Sequence, residues 1–464
     1  MASSPLRFSD PPARIHLIGV KGVAMTGVAE LLLQQGYVVT GSDTAEVFPT
    51  DAVLKRLGVV CANGFAADHV GPGVAAVIYS TAYGSEHVER RAASAQGIPQ
   101  WSYPEFIGWL FNSHRHAIAV ACSHGKTTTT ALLARLLEEG GLDPTAVVGS
   151  TVSEWGSNAR LGRSSWFVLE ADEYQNKFQY YRPRYLIITN VDYDHPDFFS
   201  TPAHYEEVFL KFAATLPADG LLVVWSGEPL LNRLQAATRA PLVTYGEKPE
   251  DTWQLVNVRL TEDGTMFDVM KQGKPYGVCR MSLSGLAYAL DALGALALAD
   301  AAGVPSDIAL RTLARFRGTA RRLEYRGEYR GALVIDDYAH HPAEIRATLT
   351  ALRQRYPGRR LWCVFQPHTF SRTSTFLQEF AQALAEADQV VLLPIYSSVR
   401  EAQGTVSHET LVQAINLVAS GLARAVASHE AAVALLKREA APHDIIVTMG
   451  AGDVWQVGQR LLQE

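Results

Sequence analysis

The sequence is poor in the features that mark secreted, membrane-spanning and nucleic-acid-binding proteins. Only four cysteines occur in 464 residues, and they lie far apart, so neither a disulfide framework nor a cysteine-ligated zinc site is expected. No stretch approaches the roughly 18 to 20 uncharged apolar residues of a membrane span. The first residues show no apolar core of a secretory signal. With 41 basic and 47 acidic residues, the net charge of −6 offers no electrostatic footprint for nucleic acid or anionic lipid. We therefore expect a cytoplasmic protein whose partners are neither nucleic acid nor membrane.

What the sequence does contain is a long alternation of short apolar runs with helix-like segments. This alternation is typical of α/β folds with parallel sheets. Many of the runs end in polar or reactive residues, and ligands bind beyond the carboxyl ends of such strands, which favours an enzyme. The length suggests roughly three domains. Breaks near residues 112–116 and in the basic, glycine-bounded stretch 317–331 predict domains over residues 10–113, 114–318 and 319–464.

The first motif is a glycine-rich turn, Gly19 to Gly27, between an apolar run and a helical one. Such a turn lets the backbone approach a diphosphate, and the following helix N-terminus favours negative charge. Asp43 lies 24 residues after Gly19, where related units place an acid near a ribose. Because the spacing is not that of a dinucleotide fingerprint, another diphosphate ligand is expected. A tight turn that needs glycine only for its dihedral angles explains the motif equally well.

The second motif, Ser-His-Gly-Lys-Thr-Thr at residues 123–128, lies between an apolar strand and a helical run. We call it the phosphate loop. Backbone N–H groups of such a loop cradle phosphates, the lysine neutralises their oxygens, and the first hydroxyl binds Mg²⁺. An isolated Gly-Lys-Thr is common by chance, and the first glycine of the full pattern is Val120 here. The strand before and the helix after nevertheless favour a nucleoside triphosphate site.

Acidic residues follow two apolar runs beyond the phosphate loop. Glu170, Asp172 and Glu173 end one run, and Asp194 with His195 ends the other. Carboxylates and an imidazole brought together there would hold Mg²⁺ against ATP oxygens. Exposed acids also commonly terminate strands without any such role. Their place after a phosphate loop favours the metal.

The last third of the chain holds two further clusters, DDYAHHP at residues 336–342 and HTFSRT at residues 368–373. Adjacent residues on a strand point to opposite faces, so one zinc ion bound by both His340 and His341 is not expected. The clusters fit an anionic, amino-bearing small molecule instead, with Arg372 for a carboxylate and His340 or His368 for hydrogen bonds. Solvated loops remain the alternative.

Taken together, these segments resemble the Mur ligase family. The matching segments follow the family order from residue 14 to residue 453, which makes the set far more specific than any one motif. Within the family, the last segment favours the alanine-adding branch over its tripeptide-adding relative. The segments are IHLIGVKGVAMTGVAELLLQQGYVVTGSD, SHGKTTTT, NARLG, EADE, TNVDYDH, FRGTARRLE, DDYAHHP, FQPHTFSRT and GAGD.

The resemblance implies a Rossmann-like N-terminal domain, a central P-loop ATPase-like α/β domain and a C-terminal Rossmann-like α/β domain. It implies UDP-sugar binding by Gly19, Gly22, Met25, Asp43, Ser80, Thr81, Ala82, Asn158 and Arg160. ATP would be bound by Ser123, His124, Gly125, Lys126, Thr127, Thr128, Tyr288, Asp291, Arg322 and Asp337. The metal would be held by Thr127, Glu173 and His195, and the amino acid by Tyr338, His340, His368 and Arg372. The implied catalytic residues are Lys126, Glu173, His195, His340, His368 and Arg372.

The implied reaction uses ATP and Mg²⁺ to join L-alanine to the lactyl carboxylate of UDP-N-acetylmuramate through an acyl phosphate, in peptidoglycan synthesis. A monomer or homodimer is expected. Two departures from the family pattern bear on ATP use. Cys122 replaces a glycine before the phosphate loop, where a thiol near a helix N-terminus can have a lowered pKa and be prone to oxidation. Tyr288 and Asp291 replace two asparagines near the adenine, so we expect either stacking by Tyr288 or weakened ATP binding.

Three other functions compete with this interpretation. The chain could be another Mur-type ligase that adds a tripeptide or a different amino acid. It could also be a non-catalytic nucleotide-sugar-binding homologue, which the two departures favour and the intact Lys126 and Glu173 oppose. An NAD-dependent oxidoreductase rests only on the first glycine turn, and the spacing of that turn disfavours it.

Overall fold

The computed structural model describes residues 10–261, 263–396 and 404–463, which form three sheets with helices packed on them. The first sheet is parallel, in the order β3-β2-β1-β4-β5. Its strands are β1 (Arg14–Ile18), β2 (Val38–Asp43), β3 (Val60–Asn63), β4 (Val74–Tyr79) and β5 (Gln100–Ser102). Its helices are α1 (Val23–Gln34), α2 (Asp51–Leu57), α3 (Val88–Ala95) and α4 (Tyr103–Asn112).

The strand order reverses at the neighbouring parallel strands β1 and β4, and the first glycine turn lies at this reversal of order. Gly19 follows β1 with φ +81°, and a Cβ on it would lie 2.5 Å from the Tyr83 ring beyond β4. Glycine is therefore required here both for its dihedral angle and for the close approach. A crevice at such a reversal is where open α/β sheets bind ligands.

The second sheet has ten strands in the order β15-β14-β13-β12-β11-β10-β6-β9-β7-β8. Its strands are β6 (His116–Ala121), β7 (Thr145–Val152), β8 (Ser157–Arg160), β9 (Trp166–Glu170), β10 (Tyr185–Ile188), β11 (Leu221–Trp225), β12 (Leu242–Gly246), β13 (Trp253–Thr261), β14 (Gly264–Lys271) and β15 (Lys274–Met281). Its helices are α5 (Lys126–Glu139), α6 (Pro202–Ala213), α7 (Leu231–Ala237), α8 (Leu286–Ala301) and α9 (Ser306–Arg315). The central strands β6, β9 and β10 are parallel and buried, as their unbroken apolar runs predict.

The third sheet has six strands in the order β16-β17-β21-β18-β19-β20, with only β16 antiparallel. Its strands are β16 (Glu324–Tyr329), β17 (Ala332–Asp337), β18 (Leu361–Phe365), β19 (Gln389–Leu392), β20 (Ala423–Ala425) and β21 (Ile445–Met449). Its helices are α10 (Pro342–Arg355), α11 (Phe370–Thr375), α12 (Leu377–Leu384), α13 (His408–Val418), α14 (His429–Glu439) and α15 (Trp455–Leu462).

The predicted α/β architecture of three domains is confirmed. The three sheets lie within residues 14–102, 116–281 and 324–449, and the domain limits predicted at 113 and 318 stay predictions. Across the three described ranges of the chain, no helix is both long and apolar enough to cross a lipid bilayer.

The first two sheets meet through α1, and the last two meet at a short junction. Asn158 at the second sheet donates to the carbonyl of Val23 at the start of α1, at 2.9 Å. At the junction, the amide of Ala320 donates to Thr151 of the second sheet at 2.8 Å. The next residue, Arg321, is held by the third domain, because its side chain donates to Asp336 at 2.9 Å and to the carbonyl of Gly450 at 2.6 Å. Residues that follow parallel strands of all three sheets, among them Lys21, Ser123 and Tyr338, line one common cavity.

Candidate active site

A cavity of about 920 Å³ lies between the three domains and is lined by all of them. It is large enough for substrate-sized ligands, which commonly occupy pockets of about 300 to 1,000 Å³. The residues predicted for substrate or metal binding that line it are Gly22, Met25, Ser80, Thr81, Ser123, Gly125, Lys126, Thr127, His195, Arg322, Tyr338 and His340.

The phosphate loop enters this cavity where β6 ends and α5 begins. Gly125 takes φ +86°, which allows the chain to turn into the helix at Lys126. The ammonium of Lys126 donates to Glu173 at 2.7 Å and also to the carbonyl of Cys122. Burial acts to lower the pKa of Lys126, but the acidic groups around it, with Glu173 the strongest and Asp172 also contributing, together hold that pKa above its ordinary value. The lysine is therefore a permanent positive charge at the N-terminus of α5.

The expectation of a reactive thiol beside this loop is wrong. Cys122 has no exposed surface, and burial raises the pKa of its thiol far more than Lys126 lowers it. A buried thiol that stays protonated is a poor nucleophile and oxidises slowly. The residue acts as a small apolar group beneath the loop.

A cluster of metal-binding groups lies next to the lysine. Asp172, Glu173 and His195 each offer one ligand atom, and these atoms lie within 4.8 Å of one another. The Tyr205 hydroxyl fixes Glu173 by donating to it at 2.9 Å. Carboxylate oxygens suit a hard divalent cation such as Mg²⁺, and an imidazole can complete the set. The third predicted ligand, Thr127, donates its hydroxyl to Glu170 at 2.9 Å instead.

The sequence indicates Asp172 only as one member of an acidic strand end, and the family resemblance favours Thr127 as the ligand. The sequence signal for Asp172 is its place directly before Glu173, the expected ligand, just after the end of β9.

His124 of the phosphate loop connects the central and C-terminal domains. Its ring nitrogens lie 3.3 Å from Asp192 and 3.5 Å from Glu344 at the start of α10. Burial acts to lower the pKa of His124, but these two carboxylates raise it to about 9. Arg322 also approaches Glu344, at 3.7 Å. Sequence reasoning missed Glu344, although its place three residues after the helix-capping His341 fits a capping box that could have drawn attention to it.

The predicted amino-acid site divides into two residues that line the cavity and two that do not, and of the latter Arg372 is buried and His368 is partly exposed. Tyr338 and His340 line the cavity, whereas His368 and Arg372 lie behind it. Arg372 donates to Asp194 of the central domain from two nitrogens, at 2.9 and 2.8 Å. Its charge is thus already paired with a carboxylate, and its role as the anchor of the amino acid stays a prediction.

His340 presents a neutral imidazole to the cavity. Burial lowers its pKa to about 4, so the ring is neutral at neutral pH. Its Nδ1 lies 3.0 Å from the Tyr338 carbonyl, which can only accept a hydrogen bond. Nδ1 therefore carries the hydrogen, and Nε2 keeps its lone pair.

Several of the residues predicted to bind the UDP-sugar make hydrogen bonds or ion pairs with other groups of the protein. Asp43 accepts the amides of Lys21 at 2.7 Å and Thr44 at 2.8 Å. Arg160 pairs with Asp143 at 2.6 Å. The predicted residues outside the cavity lining are Gly19, Asp43, Ala82, Asn158 and Arg160. Their ligand-binding roles stay predictions.

Five of the predicted ATP-binding residues also lie outside the cavity lining. Asp337 accepts the amides of Leu323 at 2.7 Å and Ala339 at 2.8 Å, which ties the junction to the third sheet. Asp291 is buried against Gly125. The residues in this group are His124, Thr128, Asp291 and Asp337, together with Tyr288 of α8, which is also outside the lining.

Three cavity-lining cations, Lys21, Lys177 and Arg321, are not among the site residues predicted from the sequence. Lys21 donates to the carbonyls of Thr44 at 2.9 Å and Glu46 at 2.8 Å. Arg321 lies over the Tyr338 ring, 4.9 Å from its centroid. The lining also contains Lys126 and Arg322, which can contact phosphate and carboxylate groups, and these cations lie among lining carboxylates. The carboxylates are Glu46, Glu170, Asp172, Asp194, Glu344 and Asp453.

Comparison with known families matches three consecutive segments of the chain. Residues 14–115 match the Mur ligase family catalytic domain, residues 120–299 the Mur ligase middle domain, and residues 321–452 the Mur ligase glutamate ligase domain. A UDP-N-acetylmuramate–L-alanine ligase of Desulfitobacterium hafniense is 40% identical over 97% of this chain and 100% of its own length. One from an Anaeromyxobacter species is 39% identical over 98% of each chain.

Solved structures agree over the same extent. The UDP-N-acetylmuramate–alanine ligase of Thermotoga maritima aligns with a TM-score of 0.82 at 26% identity, over 97% of this chain and 98% of its own. A murein peptide ligase of Psychrobacter arcticus aligns with a TM-score of 0.75 at 27% identity over the same shares. With three family segments in order and relatives at 40% identity over nearly its full length, the chain belongs to the Mur ligase family.

Proposed function

We propose that this chain is an ATP-dependent ligase that joins L-alanine to the lactyl carboxylate of UDP-N-acetylmuramate in peptidoglycan synthesis. The observation that carries the proposal is the single cavity into which all three domains bring the Lys126 loop, a metal-binding cluster and His340. The names of the full-length relatives support the choice of L-alanine as the amino acid.

The first step activates the sugar-borne acid, because a carboxylate oxygen is too poor a leaving group to be displaced by an amine. A lactyl oxygen forms a bond to the γ-phosphorus of ATP while the bond from that phosphorus to the β–γ bridging oxygen breaks, which yields an acyl phosphate and ADP. Lys126 leaves Glu173 and the Cys122 carbonyl to neutralise the charge that develops on the transferred phosphoryl group.

The second step forms the amide. The amine of L-alanine attacks the acyl carbon, and the tetrahedral intermediate expels phosphate. His340 takes the amine proton at Nε2, since its ring is neutral and its Nδ1 hydrogen is held by the Tyr338 carbonyl. Closure of the three domains around bound substrates would exclude water that hydrolyses the acyl phosphate.

Asp172, Glu173 and His195 are the residues that would hold Mg²⁺. The ion would supply positive charge close to the phosphate oxygens. Because the reaction consumes ATP and all four cysteines are free thiols, we propose that it takes place in the cytoplasm. The oligomeric state, monomer or homodimer, stays a prediction.

The test is product formation by the purified chain with ATP, Mg²⁺, UDP-N-acetylmuramate and L-alanine. We expect ADP and the joined product in equal amounts, and neither when the sugar nucleotide or Mg²⁺ is left out. Lys126→Ala should lower the rate about 10²- to 10³-fold. Lys211→Ala is the matched control, because Lys211 is 73% exposed, lies outside the cavity lining and pairs with Glu207 on its own helix. Failure of the wild-type chain to form product would refute the proposal.

Substrate choice is tested by replacing L-alanine with glycine, L-serine or a muropeptide-type tripeptide. We expect the highest kcat/KM with L-alanine. A higher kcat/KM with the tripeptide would assign the chain to the branch represented by the Psychrobacter structure.

A further inference from the structure

One buried carboxyl at the phosphate loop, which the family resemblance places among the ATP-binding residues, takes no part in the two steps described above. Asp291 lies on α8, which packs against α5, and its side chain is 8% exposed. A Cβ placed on Gly125 would stand 2.5 Å from Oδ1 of Asp291. The carboxyl is therefore in direct contact with the glycine of the loop that receives the nucleotide phosphates.

The cations near this carboxyl are engaged with other acids. His124 pairs with Asp192 and Glu344, and Arg322 also approaches Glu344. Burial raises the pKa of Asp291 to about 8, and Thr129, Arg322 and His124 lower it only in part. The other titratable groups that face it are Cys122 at the end of β6, Tyr245 of β12 and Tyr288 of α8.

We propose that Asp291 carries a proton whenever nucleotide phosphates occupy the loop, and that its neutral carboxyl is a positioning group for Gly125. The proposal rests on the proposed function only in requiring that the loop binds ATP. An ionised carboxylate in contact with Gly125 would repel the triphosphate at short range, in a setting where solvent screens little. A protonated carboxyl removes the repulsion and can donate a hydrogen bond.

The sign of the resulting pH dependence follows from linkage. Bound phosphate stabilises the protonated form and raises the pKa of Asp291 further, so nucleotide binding takes up a proton near pH 8. Affinity is then constant well below pH 8 and falls as pH rises through that value. A further rise of one unit on binding corresponds to about a tenfold difference in affinity.

The experiment measures binding of a non-hydrolysable ATP analogue with Mg²⁺ by calorimetry between about pH 7 and pH 9.5, in buffers that differ in ionisation enthalpy. For the wild-type chain we expect proton uptake near pH 8 and about tenfold weaker binding at the alkaline end. Asp291→Asn, which has the same shape and no charge, should abolish that uptake and flatten the profile. An unchanged profile and uptake in Asp291→Asn would overturn the inference.

Two controls separate this effect from others. His124→Gln removes the neighbouring group that titrates near pH 9 and should keep the Asp291-dependent change. The wild-type chain itself gives a second readout, since analogue binding near pH 8.5 should increase the infrared C=O band of a protonated carboxylic acid. Absence of that increase overturns the inference even if Asp291→Asn does not fold. Failure of the wild-type chain to bind the analogue at any pH overturns the proposed function as well, whereas binding with a flat profile overturns this inference alone.

Discussion

At the scale of single residues, the charged groups of the active site are held by one another. Lys126 is bound to Glu173 and Arg372 to Asp194, so each cation has a buried carboxylate partner. Substrate phosphates must therefore replace an existing contact of Lys126 rather than meet a free ammonium. This exchange keeps a buried charge compensated both before and after binding.

His124 gives a pH-dependent contribution to stability that can be measured. Its pKa is raised to about 9 by Asp192 and Glu344, against about 6.5 for an unfolded histidine. The contribution is fully present below about pH 6.5 and is lost as pH rises through about 9. We expect His124→Gln to lower the midpoint of thermal unfolding by roughly 2 to 4 °C near pH 6.5 and to have little effect near pH 10.

The measurement compares each variant with the wild-type chain at the same pH, which cancels the titration of other groups. His204→Gln serves as the control for loss of an exposed histidine. An effect of His124→Gln that is equally large at both pH values would show that the ring stabilises the chain by packing and not by its charge.

Lys126, Glu173 and His195 could be selected from the sequence because each stands in a local motif at the end of an apolar run. The ion-pair partners of Arg372 and His124 could not be selected from the sequence. Asp194 lies 178 residues before Arg372, and Glu344 lies 220 residues after His124, so only the packing of domains brings them together. The expectation that the pKa of Cys122 is lowered is wrong for a related reason, because the burial of a thiol cannot be predicted from a local motif.

At the scale of elements, the strand–loop–helix unit around Gly125 shows how a local pattern fixes a site. The order of an apolar strand, a Gly-Lys-Thr loop and a helix was predicted, and β6, the loop and α5 have that order. The contact of the loop with α8 was not predicted, because it depends on a helix about 160 residues further along the chain.

Gly125→Ala should destabilise this strand–loop–helix unit more than the same substitution destabilises another glycine with a positive φ angle. Gly125 and Gly141 have similar φ angles, +86° and +79°, but a Cβ meets Asp291 only at Gly125 and open space at Gly141. We expect Gly141→Ala to cost about 1 to 2 kcal/mol from the dihedral alone. Gly125→Ala should cost more and should also weaken ATP binding.

Thermal unfolding and nucleotide titration of the two variants provide the measurement. Equal losses of stability and unchanged ATP affinity in both would mean that the loop tolerates a side chain next to Asp291.

At the scale of the whole molecule, the catalytic groups come from separate domains that converge on one cavity. The α/β class and the number of domains could be predicted from the alternation of apolar runs and from length. The mutual placement of the domains could not, since it depends on side-chain contacts such as those of Asn158 with Val23 and of Arg372 with Asp194.

Loss of the ion pair between Asp194 and Arg372 should loosen the C-terminal domain. Both side chains are buried, and removing one leaves the other uncompensated, at a cost of about 3 to 5 kcal/mol. We expect Asp194→Asn to increase the radius of gyration in solution scattering and to raise the KM for L-alanine more than that for the sugar nucleotide.

Arg424→Met is the matched control, because it removes an arginine paired with Glu439 within the same domain. A double variant, Asp194→Asn with Arg372→Met, tests the cause, since it should recover part of the stability lost in the single variant. Scattering profiles that coincide for wild type and Asp194→Asn would contradict a tethering role for this pair.

The junction between the second and third sheets has one more consequence. Ala320 is bonded to the central domain, and Arg321 is bonded to the C-terminal domain through Asp336 and Gly450. The pivot for any swing of the C-terminal domain is therefore the peptide between these two residues. Arg321 therefore moves with the C-terminal domain, so the position of its positive charge in the cavity changes with the orientation of that domain.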